Sequence, residues 1–238
     1  MGAMKKSFDK LRTKVYIIHG WSYSIEKWDE LVTILKKKGI DAKVLKVPGL
    51  IYPIEKPWTI NDYVSWLSRE LKNEKEVVLV GHSNGGRIAM AFVKKHANKV
   101  LRLILIDSAG VYHNNLPIKI KRFLFGTSAK IGKNITSSER FKKILYKLAR
   151  SNDYNKADLV MKKTMVNLIE SDKSRNFESI KVPTAIIWGR DDTTTSLADG
   201  KLLNREIKGS KLIVIKNAKH SPQFSHPHEV TDIILRNL

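Results

Sequence analysis

The sequence predicts an α/β chain built on a doubly wound, mostly parallel six-stranded sheet, with a small helical cap. Three observations carry that prediction. Short runs that are apolar at every position recur along the chain, as strands covered on both faces require. Segments with apolar residues at helical spacing separate them, so strands alternate with helices. The length of 238 residues suits one such domain with an ample core.

The strands are expected at 15–18, 42–47, 77–80, 101–106, 184–188 and 212–215. A first helix over 25–38 places Trp28, Leu31, Val32 and Leu35 on one face, with Ser24 as its N-cap and Gly39 as its stop. Further helices are expected over 59–71, 86–97, 197–207 and 227–238. Residues 112–180 break the rhythm: no strand is evident, and the best helical stretches are 138–150 and 156–169. An insertion there follows a strand end and hangs over the C-terminal edge of the sheet. The expected division is therefore a core of 5–111 and 181–238, with 112–180 as a cap.

Composition removes several classes of function. The chain has no Cys, which excludes disulfides, thiolate metal sites and cysteine nucleophiles. No apolar run approaches the ~20 residues of a membrane span, and no secretory leader is visible, so the cytoplasm is the default expectation. Gly2-Ala3 between two methionines looks like a cloning remnant and is set aside. The net charge of +21 is large, with Lys119, Lys121, Arg122, Lys130 and Lys133 crowding the middle segment. Such a surface permits weak association with anionic membranes. No nucleic-acid motif accompanies it, and aromatics do not alternate with the basic residues as a stacking platform would require.

The most informative residues are Gly81-His82-Ser83-Asn84-Gly85, a G-x-S-x-G pattern between an apolar strand and an amphipathic helix. A strand running through a sharp turn into a helix exposes the middle serine on a strained backbone. A serine hydroxyl is a weak nucleophile, so it needs a base, usually a histidine oriented by a carboxylate. On this kind of sheet the chain order is Ser, then Asp or Glu, then His. Gly189-Arg190-Asp191-Asp192 and Asn217-Ala218-Lys219-His220 supply that order, each just after a strand. His220 is the base on this reading, while Asp191 and Asp192 both stand as acids, with Asp107 as a more distant alternative. His82 is expected to point away from the serine, and His19 to support loops. His226 and His228 suit surface or capping roles, and His96 and His113 lack evident partners. One oxyanion donor falls to the backbone N–H of Asn84, at a helix N-terminus.

The chain resembles the α/β-hydrolase family over nearly its whole length. His19-Gly20-Trp21, the turn from Gly81 to Gly86, residues 103–110, Trp188-Gly189-Arg190-Asp191-Asp192 and Ala218-Lys219-His220-Ser221-Pro222 carry the likeness. The resemblance implies Asp192 as the acid and the Trp21 N–H as the second oxyanion donor, with no cofactor and no metal. It also implies a shortened sheet, since little chain precedes residue 15. Lys219 departs from the family, where Gly is expected beside the histidine. The implied activity is hydrolysis of small to medium apolar carboxylic esters through an acyl-enzyme. Ile118, Phe123, Leu124 and Phe125 of the cap are expected to line the substrate pocket. Two other readings stand: a carbon–carbon bond hydrolase of ring-fission products, and a catalytically silent binding protein on the same fold.

Overall fold

The computed structural model describes residues 14–113 and 159–238. Six strands form one all-parallel sheet: β1 (Lys14–Ile18), β2 (Asp41–Leu45), β3 (Val77–His82), β4 (Val100–Ile106), β5 (Thr184–Gly189) and β6 (Lys211–Ile215). Their order across the sheet is β2-β1-β3-β4-β5-β6. From β3 onward each strand joins the growing edge in chain order. β3 and β5 are buried at every position, whereas the edge strands β2 and β6 show exposed residues.

The sheet's two faces hold two cores. On one, Tyr16, Ile18, Leu79, Leu103, Leu105, Ile186 and Trp188 pack beneath α2 (Ile60–Glu70), α3 (Asn84–His96) and α5 (Leu197–Glu206). On the other, Val15, Ile17, Val78, Val80, Ile104, Ile106 and Ile187 meet α1 (Asp29–Lys37) and α7 (Pro227–Arg236). Neighbouring strand residues thus alternate between two dry interfaces, which is why the runs read as continuously apolar. Helices on both faces make the sheet doubly wound.

Local chemistry starts these helices. Thr59 caps α2: its N–H donates to Asp62 Oδ2 at 2.7 Å, and its Oγ1 accepts from the Asp62 N–H at 3.4 Å. Such a cap is worth about 1 kcal/mol. Ser24 does not cap α1. A 3-10 turn at Glu26–Trp28 comes first, and the Ser24 hydroxyl donates to Glu26 instead. That turn is tighter than an α-helix, so it takes up the residues that periodicity alone assigns to one helix. Pro222–Ser225 forms a short helix, α6, before α7.

Of the expected cap, 159–180 is described. Its helix α4 (Leu159–Glu170) buries Met161, Thr164, Met165, Leu168 and Ile169. Thr164 Oγ1 accepts from the Trp58 N–H at 3.0 Å, and Asn167 Nδ2 donates to the Trp58 carbonyl at 3.2 Å. This helix is anchored to the loop that leads into α2. The helix expected over 138–150, the basic residues from Lys119 to Lys133, and Ile118, Phe123, Leu124 and Phe125 lie outside the described residues. Among the described residues no helix is long and apolar enough to cross a membrane.

Candidate active site

Ser83 stands between β3 and α3 with φ 52° and ψ −119°. An L residue pays about 1–3 kcal/mol for such a backbone, and the surroundings must enforce it. They do so by hydrogen bonds to the end of β4. The Ser83 N–H donates to the Ile106 carbonyl at 3.0 Å, and the Ser83 carbonyl accepts from Ala109 at 2.9 Å. Two glycines make the turn possible by close approach. A Cβ on Gly85 would lie 1.9 Å from the Ile18 carbonyl oxygen, and one on Gly81 would lie 2.6 Å from Gly86 Cα.

The loop after β6 brings His220 to this serine, with Nε2 3.0 Å from Ser83 Oγ. Its Nδ1 lies 2.7 Å from Asp192 Oδ2, on the loop after β5. A neutral imidazole meets both partners in one tautomer: Nδ1–H donates to the carboxylate, and Nε2 accepts from the hydroxyl. Asp192 is buried, whereas Asp191 is exposed and its N–H ties the acid loop to the base loop through the Ala218 carbonyl at 2.9 Å. Burial alone would push the Asp192 carboxyl up. Hydrogen bonds from His220, Thr195 and Thr194, together with the His220 charge, outweigh it and hold Asp192 below its ordinary value.

Thr195 and His82 are contributors that sequence reasoning missed or misplaced. Thr195 Oγ1 donates to Asp192 Oδ2 at 2.7 Å and lies 3.3 Å from His220 Nδ1. Thr195→Val keeps the shape and deletes this donor to a charged acceptor. We expect kcat to fall roughly tenfold with KM little changed, read by steady-state ester hydrolysis. His82 does not point away from the site. Its Nε2–H donates to the His220 carbonyl at 2.8 Å, and both His82 and Ser83 line the same cavity. Burial, then the neighbouring His220, push His82 down to about 3, so it braces the base as a neutral donor.

The remaining histidines fall outside this chain of contacts. His19 is fully buried, takes the Val47 N–H on Nε2 at 3.3 Å and donates from Nδ1 to the Gly20 carbonyl at 2.8 Å. Burial pushes it down to about 4, and it supports its loop as expected. His226 bonds to Ser225 at the start of α7. Two others have partners after all: His96 stacks on Phe92, and His113 lies 3.3 Å from Asp199.

Asp107 is not the acid facing the base, but it is close by. Its Oδ1 accepts from the Gly189 N–H at 2.8 Å, while Oδ2 is buried without a partner. Burial, then the Asp192 charge, push its carboxyl up to about 9. Asp107, Asp192 and His220 offer donor atoms within 4.8 Å of one another. Asp192 Oδ2 is already engaged by His220 and Thr195, and Asp107 Oδ1 by the Gly189 N–H, so this donor set is committed to the protein's own hydrogen bonds. A folded pKa raised above the unfolded one costs nothing below about pH 4. The cost then grows as the pH rises toward the folded value near 9. Asp107→Asn should therefore stabilise the protein at pH 8 and have little effect at pH 4. Urea unfolding at the two pH values checks this.

The candidate oxyanion donors, the N–H groups of Trp21 and Asn84, have no acceptor among the described residues. The Asn84 side chain is fixed from below. Arg87 Nη1 donates to Asn84 Oδ1 at 2.5 Å, and Arg87 Nε and Nη2 donate to Asp172 at 3.0 and 2.8 Å. Arg175 Nη1 donates to the Arg87 carbonyl at 2.9 Å, and its Nε lies 2.8 Å from Asp172 Oδ1. A cavity of about 760 Å³ opens over Ser83 and His220, with Trp21, Trp28 and Phe224 among its walls. That size suits a small organic ligand.

Residues 60–225 match the family model Hydrolase_4, described as serine aminopeptidase, S33. Among curated proteins the chain is similar to a pimeloyl-[acyl-carrier protein] methyl ester esterase of Neisseria meningitidis, 24% identical over 93% of this chain and 92% of the relative. It is also similar to monoacylglycerol lipase ABHD6 of Mus musculus, 24% identical over 94% of this chain and 75% of the relative. Among solved structures, a thermophilic esterase from Thermogutta terrifontis superposes with a TM-score of 0.70 at 20% identity, covering 94% of this chain and 88% of the other. A bromoperoxidase from Bacillus anthracis gives 0.68 at 21% identity, covering 94% and 91%. At these identities the two structures speak for the fold alone.

Proposed function

Because this chain belongs to the Hydrolase_4 (serine aminopeptidase, S33) family of α/β-hydrolases, we propose that it cleaves carboxylic esters through Ser83, His220 and Asp192. The hydrogen-bonded line from Ser83 Oγ through His220 to Asp192, at 3.0 and 2.7 Å, carries the reading. His220 Nε2 takes the hydroxyl proton as Oγ attacks the ester carbonyl. The carbonyl oxygen gains the negative charge and is received by the Trp21 and Asn84 N–H groups, each worth about 3–4 kcal/mol to the transition state. His220 returns its proton to the departing alkoxide, leaving an acyl-serine and an alcohol. Water then attacks the acyl carbon, giving a proton to His220; the acyl–Oγ bond breaks, His220 returns that proton to Ser83 Oγ, and the carboxylic acid leaves. Asp192 stays ionised throughout and stabilises the imidazolium as it forms.

The similarity to an esterase and a lipase supports esters over other acyl compounds. The aromatic walls of the cavity support acyl chains of small to medium size. A fluorophosphonate probe and a series of p-nitrophenyl esters of increasing chain length test the reading, with a dienoate ring-fission compound as comparator. Labelling of Ser83 and turnover of short esters are expected. Failure of the folded protein to label overturns the proposal, and turnover of the dienoate alone moves the reading to carbon–carbon cleavage.

A further inference from the structure

We propose that the cavity over Ser83 selects esters bearing a negative charge, a carboxylate or a phosphate, and disfavours cationic ones. This names the substrate class of the site just described and rests on the ester reading.

Among the described residues the cavity wall includes Lys27 and Lys219 and no aspartate or glutamate. Lys27 comes from the 3-10 turn ahead of α1, and Lys219 from the loop after β6, beside His220. Two segments 192 positions apart in the sequence thus bring a cation each to one opening. Both side chains are exposed, and neither forms an ion pair among the described residues. The cavity's other ionisable groups do not oppose them. His19 and His82 are held neutral by burial, with values near 4 and 3. Two carboxylates adjoin the wall without being part of it: Asp192 is turned to His220 and Thr195, and Glu26 accepts from the hydroxyl of Ser24. Lys27 and Lys219 supply the charge of this wall, while Trp28 and Phe224 supply apolar surface. The ligand that matches both is an apolar chain with an anionic group.

The same wall bears on the family description. A substrate with a free amino terminus presents an ammonium group, which needs a carboxylate or a set of carbonyls to replace its water. Two lysines at the opening repel it instead. The net charge of +21 attracts anions to the whole molecule, but only the cavity residues can discriminate between esters once they are bound.

The test compares three methyl esters of equal length: the half-ester of a straight-chain dicarboxylic acid, the monocarboxylic ester, and an ω-amino acid ester. A glycerol ester with and without phosphate on the alcohol side separates the two sources of charge. At low ionic strength the anionic ester should exceed the neutral one in kcat/KM by roughly five- to tenfold, mostly through KM, with the cationic ester poorest. The ratio should shrink at high salt. It should fall toward one in the Lys27→Gln/Lys219→Gln double variant and return in Lys27→Arg/Lys219→Arg. Equal kcat/KM for all three esters overturns the inference, as does a preference that survives in the glutamine variant. In both cases turnover of the neutral ester leaves the hydrolase reading standing. If no ester in the panel is hydrolysed, that reading fails and takes the inference with it.

Discussion

Ser83→Ala is expected to lower kcat on the order of a million-fold and to abolish fluorophosphonate labelling. Loss of the hydroxyl removes the whole acyl-enzyme route, because His220 and Asp192 then activate nothing. Its effect on stability separates this role from a packing role. Alanine keeps a Cβ on a backbone at φ 52°, so the strain remains and the melting temperature should hardly move. Ser83→Gly relieves it. That variant should be equally inactive yet about 1 kcal/mol more stable, a rise of roughly 2–4 °C by calorimetry. An inactive glycine variant no more stable than wild type would remove strain from the account. Retained activity in either variant would remove Ser83 from the chemistry.

Asp172→Ala should give the largest loss of stability. The carboxylate is buried between two buried guanidiniums, Arg87 and Arg175. Burial, together with the like charge of Arg87, pushes Arg175 down to about 10 in spite of its pairing with Asp172. Deleting the single anion strands two cations, at a cost of about 3–5 kcal/mol and roughly 10 °C in melting temperature. Because Arg87 also holds Asn84, the loss should reach the oxyanion donor. Measured well below the transition, kcat should drop by at least tenfold with KM nearly unchanged. A melting temperature within 2 °C of wild type would show that the cluster is hydrated rather than sealed.

The strands were legible because the central ones are sealed on both faces, which leaves a nearly continuous apolar signature, most complete in β3 and β5. The proposed acid and base stood out because parallel strands all end on one edge, so a polar side chain just past a strand end is brought toward Ser83. What sequence could not give is contact between distant positions. Arg87 and Asp172 are 85 residues apart, and nothing in either neighbourhood announces the other. Nothing in the sequence around Thr195 marks it out; only the fold sets it against Asp192. His82, expected to point away from the serine, lines the cavity beside it. The turn at Ser83 breaks the strand's alternation of side chains and swings both residues to the cavity. Asp107 was seen as a possible acid, but its buried proton depends on three-dimensional crowding with Asp192.

The place of His220 in the strand order has a consequence in time. The hydroxyl and its imidazole are 137 residues apart, and the loop carrying the imidazole leaves the sheet's final edge strand. A ribosome adds that stretch in roughly ten seconds. Until then the emerging polypeptide holds an alcohol no more reactive than any other serine, whatever portion of the sheet has already formed. On the proposed mechanism a chain that stops short of this loop lacks its base, and reactivity arrives only with the placement of one late loop.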